Sequence, residues 1–184
     1  AFIRFFYTKA IADCDVDAPN LHLVYEQTVK PTVSDFYGGD KAVIDPEKCI
    51  SCGACQSHCR FDAIEEATTG YAVNEYACEG CGVCAYVCPQ KAVALHTDMA
   101  GRKELYLSGG VFSTATLKMG RGNSGKLVTD VKMAMLENAP ETPLAIIDGS
   151  PGIGCPVIAS VSGMDLVLVV AEPSLSGNSD LKRL

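Results

Sequence analysis

Cys49-Ile50-Ser51-Cys52-Gly53-Ala54-Cys55-Gln56-Ser57-His58-Cys59 and Cys78-Glu79-Gly80-Cys81-Gly82-Val83-Cys84-Ala85-Tyr86-Val87-Cys88 are two copies of one pattern, C-x2-C-x2-C-x3-C. Each cysteine of the first copy recurs 29 positions later. The repeat reaches past the cysteines. Ala42-Val43-Ile44-Asp45 corresponds to Tyr71-Ala72-Val73-Asn74, and Phe61-Asp62-Ala63-Ile64 to Gln90-Lys91-Ala92-Val93. The duplicated unit is therefore predicted to be a short strand, a cysteine loop, a short helix and a short strand. These eight cysteines belong to a total of ten in a chain with no tryptophan, a density that means either a disulfide scaffold or a metal site.

The spacing decides between them. Disulfides would need an oxidising compartment and a secretion route, and no signal peptide is visible in residues 1–12, where Arg4 and Lys9 interrupt short apolar runs. Zinc knuckles use CxxC pairs with four ligands per site, which does not suit interleaved triplets with a repeated fourth member. Three thiolates at two-residue intervals on a curling loop can wrap one face of an iron–sulfur cube, and the fourth, a helical turn further on, points away. In bacterial two-cluster ferredoxins that fourth cysteine ligates the other cluster. By that rule one [4Fe–4S] cluster takes Cys49, Cys52, Cys55 and Cys88, and the other takes Cys78, Cys81, Cys84 and Cys59. Gly53, Gly80 and Gly82 suit a backbone that must come close to inorganic sulfide. Pro89 follows the last cysteine, whereas Arg60 stands at the corresponding place after the first quartet.

This ferredoxin-like α+β module, residues 41–97, interrupts a different pattern carried by residues 1–40 and 98–184. Thr8–Asp15 reads as a short strand ending in Asp13-Cys14-Asp15, and Glu104–Leu107 with Val111–Met119 as a hairpin around Gly109-Gly110. Leu127, Val131 and Met135 have helical spacing within residues 125–138. Leu144-Ala145-Ile146-Ile147-Asp148 suits a buried parallel strand, and the glycine-rich loop 149–154 leads to Pro156 at the start of a helix. Leu166–Ala171 is expected as the next buried strand, and Ser174 or Ser176 as the cap of a last helix. Strands alternating with helices predict an α/β, doubly wound parallel sheet with ligands beyond the carboxyl ends of its strands. Asp13, Asp15, Asp148 and Glu172 all fall at such ends, where carboxylates can hold Mg²⁺.

The segments Asp13-Cys14-Asp15-Val16-Asp17-Ala18-Pro19-Asn20-Leu21-His22-Leu23, Ile147-Asp148-Gly149-Ser150-Pro151-Gly152-Ile153-Gly154-Cys155-Pro156 and Ala171-Glu172-Pro173-Ser174 resemble the MinD/ParA-like P-loop ATPases, and more narrowly the branch with an inserted ferredoxin domain. The resemblance implies an incomplete P-loop NTPase-like fold that binds Mg-ATP. Asp15 would be the catalytic residue that orients the attacking water, Asp13 would lie near Mg²⁺, and Asp148 would match the Walker B aspartate. It also implies a homodimer. The family's GK[ST] loop would precede Asp13, upstream of Ala1, so the resemblance leads us to expect a fragment of a longer protein. Gly120-Arg121-Gly122-Asn123-Ser124-Gly125-Lys126 fits G-x4-G-K, but Leu127 follows it and supplies no hydroxyl for Mg²⁺.

The remaining singletons carry structural readings. Cys14 and Cys155 are expected as buried free cysteines, Met119, Met133 and Met135 as core, and His58 as a partly exposed loop residue. With 15 basic and 22 acidic residues and no basic run, the net charge of −7 offers no footprint for nucleic acid. No apolar run approaches the length of a membrane span. The expected function is ATP-coupled electron transfer through two [4Fe–4S] clusters to a redox partner protein in the cytoplasm. A plain two-cluster electron carrier and an iron–sulfur cluster carrier or scaffold are the alternatives.

Overall fold

The computed structural model describes residues 2–6 and 8–183. After a 3-10 turn at Phe2–Phe5, the elements in chain order are β1 (Ala10–Asp13), β2 (Thr32–Ile44), α1 (Ala54–Ser57), β3 (Ile64–Ala67), β4 (Gly70–Val73), α2 (Val83–Val87) and β5 (Val93–Leu107). They continue with β6 (Val111–Leu117), α3 (Ser124–Asn138), β7 (Ala145–Asp148), α4 (Cys155–Val161) and α5 (Leu175–Leu181). The chain divides into two compact units. One comprises residues 1–36, 101–119 and 123–184, and the other residues 37–100 with 120–122.

A five-stranded sheet has the order β2-β5-β6-β1-β7, with β1, β6 and β7 wholly in the first unit. β1 runs parallel to both β6 and β7, pairing Ile11 with Phe112 and with Ile146. β5 and β6 are antiparallel, as a tight turn through Ser108–Gly110 requires, so the sheet is mixed where a wholly parallel one was expected. Apolar residues at helical spacing explain α3: Leu127, Val128, Val131 and Met135 are all buried, and the helix packs on β6 and β1. A second cluster, Ile3, Ile11, Leu21 and Phe112, packs against Tyr25 and Tyr106. The Tyr25 and Phe112 rings meet edge to face at 5.6 Å.

α4 is fastened to α3 by a buried cation. Lys132 donates from Nζ to the carbonyls of Ala159 and Ser162, which lie in the last turn of α4 and just beyond it. A cation at a helix C-terminus satisfies carbonyls that have no partner within the helix. Ser174 caps α5, its side chain accepting from Gly177 N at 3.0 Å.

Leu166–Ala171 departs from expectation. Among the described residues it pairs with no strand, and Leu166 and Val170 are 87% and 88% exposed. A buried parallel strand exists only where a neighbouring edge takes its backbone groups and covering layers take its side chains; no described element does so here. Met119 and Met133 are likewise exposed, and only Met135 of the three methionines is core.

The second unit repeats itself in structure as in sequence. The end of β2, α1 and β3 correspond through the 29-residue offset to β4, α2 and the start of β5. Backbone conformation follows: Ser51 and Gly53 have positive φ at the places of Gly80 and Gly82, and Asp62 (φ 50°) matches Lys91 (φ 50°). Ala42, Ala63, Ile64 and Val93 form its small core together with Cys55, Cys78 and Cys84. Among the described residues no helix is long and apolar enough to cross a membrane.

Candidate iron–sulfur site

Two hydrogen-bond relays, related by the repeat, carry each fourth cysteine across to the opposite half. In one, Ala92 N donates to Cys88 Sγ at 3.2 Å, Asp45 N donates to the Ala92 carbonyl at 2.8 Å, and Cys49 N donates to the Asp45 carbonyl at 3.1 Å. In the other, Ala63 N donates to Cys59 Sγ at 3.4 Å, Asn74 N to the Ala63 carbonyl at 2.8 Å, and Cys78 N to the Asn74 carbonyl at 3.0 Å. Cys88 is thereby tied to the start of the first cysteine loop, and Cys59 to the start of the second.

The cavities reflect this exchange. Cys49, Cys52, Cys55 and Cys88 line one, with about 330 Å³ of space partly open to solvent. Cys78, Cys81, Cys84 and Cys59 line the other, of about 350 Å³. Backbone shape keeps both spaces clear. Gly53 and Gly82 are left-handed immediately before α1 and α2, a conformation that glycine adopts at no steric cost. At Gly70, φ is +85° and a Cβ would lie 2.8 Å from Cys49 Sγ.

The chemistry of the lining fits a polynuclear group. Among the described residues, no three His, Cys, Asp or Glu side chains converge tightly enough to hold one metal ion. A single zinc ion would draw four donors to about 2.3 Å from one centre, and four thiols line each cavity without such convergence. Burial raises the Cys55 and Cys84 thiols above their ordinary range, and the neighbouring cysteines raise them further. A positively charged iron–sulfur core would relieve that cost by holding the thiolates. Cys52 and Cys81 are exposed, so each cavity reaches the surface beside one of its thiols.

Residues 42–95 match the family pattern described as the 4Fe-4S dicluster domain. The chain belongs to the 4Fe-4S dicluster domain family. The chain is also similar to the NADH-dependent phenylglyoxylate dehydrogenase subunit delta of Aromatoleum evansii, at 36% identity over 67 residues, 34% of this chain and 72% of that one. Similarity beyond the module appears with two uncharacterized proteins of Methanocaldococcus jannaschii. One is 36% identical over 176 residues, 94% of this chain and 59% of its own length; the other is 25% identical over 182 residues, 97% of this chain and 63% of its own. The chain thus spans less than two thirds of the length of these two relatives.

The acidic residues of the first unit lie apart from the dicluster module in sequence and were expected around a nucleotide. Asp13 and Asp148 stand in register at the carboxyl ends of β1 and β7. The Asp13 carboxylate is buried and accepts from Leu21 N at 2.9 Å and Asp15 N at 3.2 Å, so it shapes the loop that follows β1. Burial raises the Asp13 and Asp15 carboxyls above the usual range, and mutual repulsion with Asp148 adds to both. Asp148 and Glu172 are exposed. Ser150 Oγ donates to the Cys14 carbonyl, linking the loops after β7 and β1.

The G-x4-G-K segment has its cations engaged. Arg121 pairs with Glu75 at 2.6 Å and with Asp98 at 3.1 Å, and lies over the Tyr76 ring. Lys126 Nζ lies 5.3 Å from the centroid of Phe36. Cys14 is fully buried as expected, and burial first, then Asp13, pushes its thiol up to about 12. Cys155 is exposed at the first residue of α4, contrary to expectation, because the glycine-rich loop before it leaves that end of the helix open. His58 lies on the surface with Nδ1 2.9 Å from the Ala54 carbonyl.

Proposed function

We propose that Cys49, Cys52, Cys55 and Cys88 hold one [4Fe–4S] cluster, that Cys78, Cys81, Cys84 and Cys59 hold a second, and that the chain passes single electrons to and from a redox partner protein. The observation that carries this reading is the lining of each cavity by three thiols from one half and one from the other. Each cluster, when bound, takes up and releases one electron. The chain supplies the rest. Eight thiolates fix the two positions, and backbone N–H groups donate to Cys59 and Cys88 Sγ and spread their charge. Exposed Cys52 and Cys81 bring each position to the surface where a partner can dock. The dehydrogenase-subunit name of the Aromatoleum relative supports a partner that is itself a redox enzyme.

The crossed ligand set has a direct test. Cys88→Ser is expected to remove the cluster of the first cysteine loop, and Cys59→Ser that of the second, each halving the iron and acid-labile sulfide of the anaerobically purified chain. The wild-type chain is expected to bleach with dithionite and regain its colour with a one-electron acceptor. Full iron and sulfide in either variant, or iron that does not cycle, would contradict the reading.

A second reading adds Mg-ATP to the first unit, with Asp15 as the catalytic residue and Asp13 and Asp148 near the ion in a MinD/ParA-like dimer. The register of Asp13 with Asp148 at adjacent parallel strand ends favours it. Nucleotide-driven movement of the loop after β1 would then alter electron delivery. Cluster potentials and partner affinity that are the same with and without Mg-ATP, measured on the whole natural polypeptide, would remove it and leave the plain carrier.

A further inference from the structure

The two halves of the dicluster module are not equivalent, and the difference is concentrated at one repeat-related position. Lys41 in the first half corresponds to Gly70 in the second. Lys41 is half-buried and donates from Nζ to the carbonyl of Cys78. Gly70, at the equivalent place, packs its bare backbone against Cys49 Sγ. The Cys78 sulfur also accepts from Ala42 N at 3.4 Å and from Gly80 N at 3.5 Å. Among the described residues, the corresponding Tyr71 and Ser51 amides make no such bond to Cys49 Sγ.

Other charged groups also stand around the two cavities. Arg60 follows Cys59 where Pro89 follows Cys88, and Glu79 lines the second cavity where Ile50 lines the first. Both Arg60 and Glu79 are exposed, so solvent screens them and their opposite charges offset. Among the described residues no cation lines either cavity; Tyr71 of the first feels the carboxylate of Glu66, and Glu79 lines the second. Lys48, paired with Asp45, and Lys91 are exposed cations beside Cys49 and Cys88, and Asp62 is an exposed anion near Cys59; Lys41 is the half-buried charge.

We propose that Lys41 makes the cluster site of Cys78, Cys81, Cys84 and Cys59 the more easily reduced of the two, so that a first electron rests there. This rests on the two-cluster reading above. Reduction adds one electron from the donor, and with it one negative charge, to a cluster and its four thiolates; no bond breaks and no proton is transferred. A nearby ammonium and additional N–H···S bonds stabilise the more negative form, and net charge, hydrogen bonds to sulfur and exposure are the terms that set such potentials. The Cys49 site lacks the counterparts of the two N–H···S bonds to Cys78 and has only exposed cations, so it holds its electron less firmly. An electron entering at the Cys49 side would therefore move toward the Cys78 side.

The test is an anaerobic potentiometric titration of the whole chain with dithionite, followed by EPR, together with iron and sulfide analysis. Two full clusters establish the underlying reading independently of the potentials. The wild type is expected to show two distinct midpoints. In the half-reduced protein, the contact-shifted β-protons that change first by NMR should belong to Cys78, Cys81, Cys84 and Cys59. Lys41→Gln is expected to lower the higher midpoint by about tenfold in the reduction equilibrium, 59 mV for one electron, and to leave the lower one in place. Lys41→Arg should retain the wild-type order, and Lys30→Gln, which removes the same net charge from the exposed surface, should move neither. Equal midpoints in the wild type, first reduction at the Cys49 site, or an equal shift of both clusters in Lys41→Gln would overturn the proposal. The wild-type NMR assignment decides the order even if a Lys41 variant fails to keep its second cluster.

Discussion

Gly70 shows how little room the cysteine loops leave. At φ +85°, with Cys49 Sγ 2.8 Å from where a Cβ would stand, any side chain strains the backbone and strikes a ligand candidate together. Gly70→Ala is expected to lower cluster occupancy at the Cys49 site while sparing the Cys78 site. Gly80→Ala should do the reverse, because its Cβ would fall 2.1 Å from the Asp40 carbonyl oxygen at φ +63°. Iron analysis with EPR of each variant separates these outcomes, and equal loss of both clusters in both variants would refute the assignment. The two cysteines outside the repeat behave oppositely. Cys14, buried and with its thiol pushed up to about 12, stays protonated and inaccessible at pH 8, whereas Cys155 is exposed. A thiol reagent should therefore label Cys155 alone in the native, cluster-loaded chain and all ten cysteines after denaturation and cluster removal. Native labelling of Cys14 would show that the loop after β1 opens.

Helix α4 is short, and Lys132 is one of its attachments to α3. Lys132→Ala leaves the Ala159 and Ser162 carbonyls without their donor and opens a hole beside the α3 core. The expected cost is about 2–4 kcal/mol of the first unit's stability, read as a lower urea midpoint by circular dichroism. An unchanged midpoint would mean that α4 does not share in the cooperative core. At this scale the sequence was most legible where periodicity and local chemistry agreed. The buried stripe of α3, the Ser174 cap and the Ser108–Gly110 turn followed from spacing and turn chemistry alone. The long strands did not. Gly38-Gly39-Asp40 lies inside β2 and Gly101 inside β5, where glycine weakens a strand. Gly101 instead admits the close approach of the Thr116 carbonyl, 2.7 Å from where a Cβ would be. Leu166–Ala171 erred the other way, because an apolar run specifies a strand only when another strand lies beside it.

Over the whole molecule, the 29-residue repeat carried most of what could be read in advance. The shared cysteine spacing goes with matching positive-φ positions at Ser51 and Gly80, Gly53 and Gly82, and Asp62 and Lys91, and with matching relays in which strand ends exchange hydrogen bonds between halves. The asymmetry shows only in space, where Lys41 meets the Cys78 carbonyl and Gly70 stands against Cys49 Sγ. The acidic cluster of the first unit was legible only as strand-end chemistry. The structure brings Asp13 beside Asp148 but commits the Asp13 oxygens to backbone amides, a detail that spacing does not encode. The central claim concerns two one-electron centres in one chain. It is tested most directly by double integration of the low-temperature EPR spectrum of the anaerobically prepared, dithionite-reduced chain. The account predicts about two unpaired spins per chain, with line shapes broadened by magnetic interaction between neighbouring clusters. A single spin per chain with full iron content, or no spin at all, would contradict it.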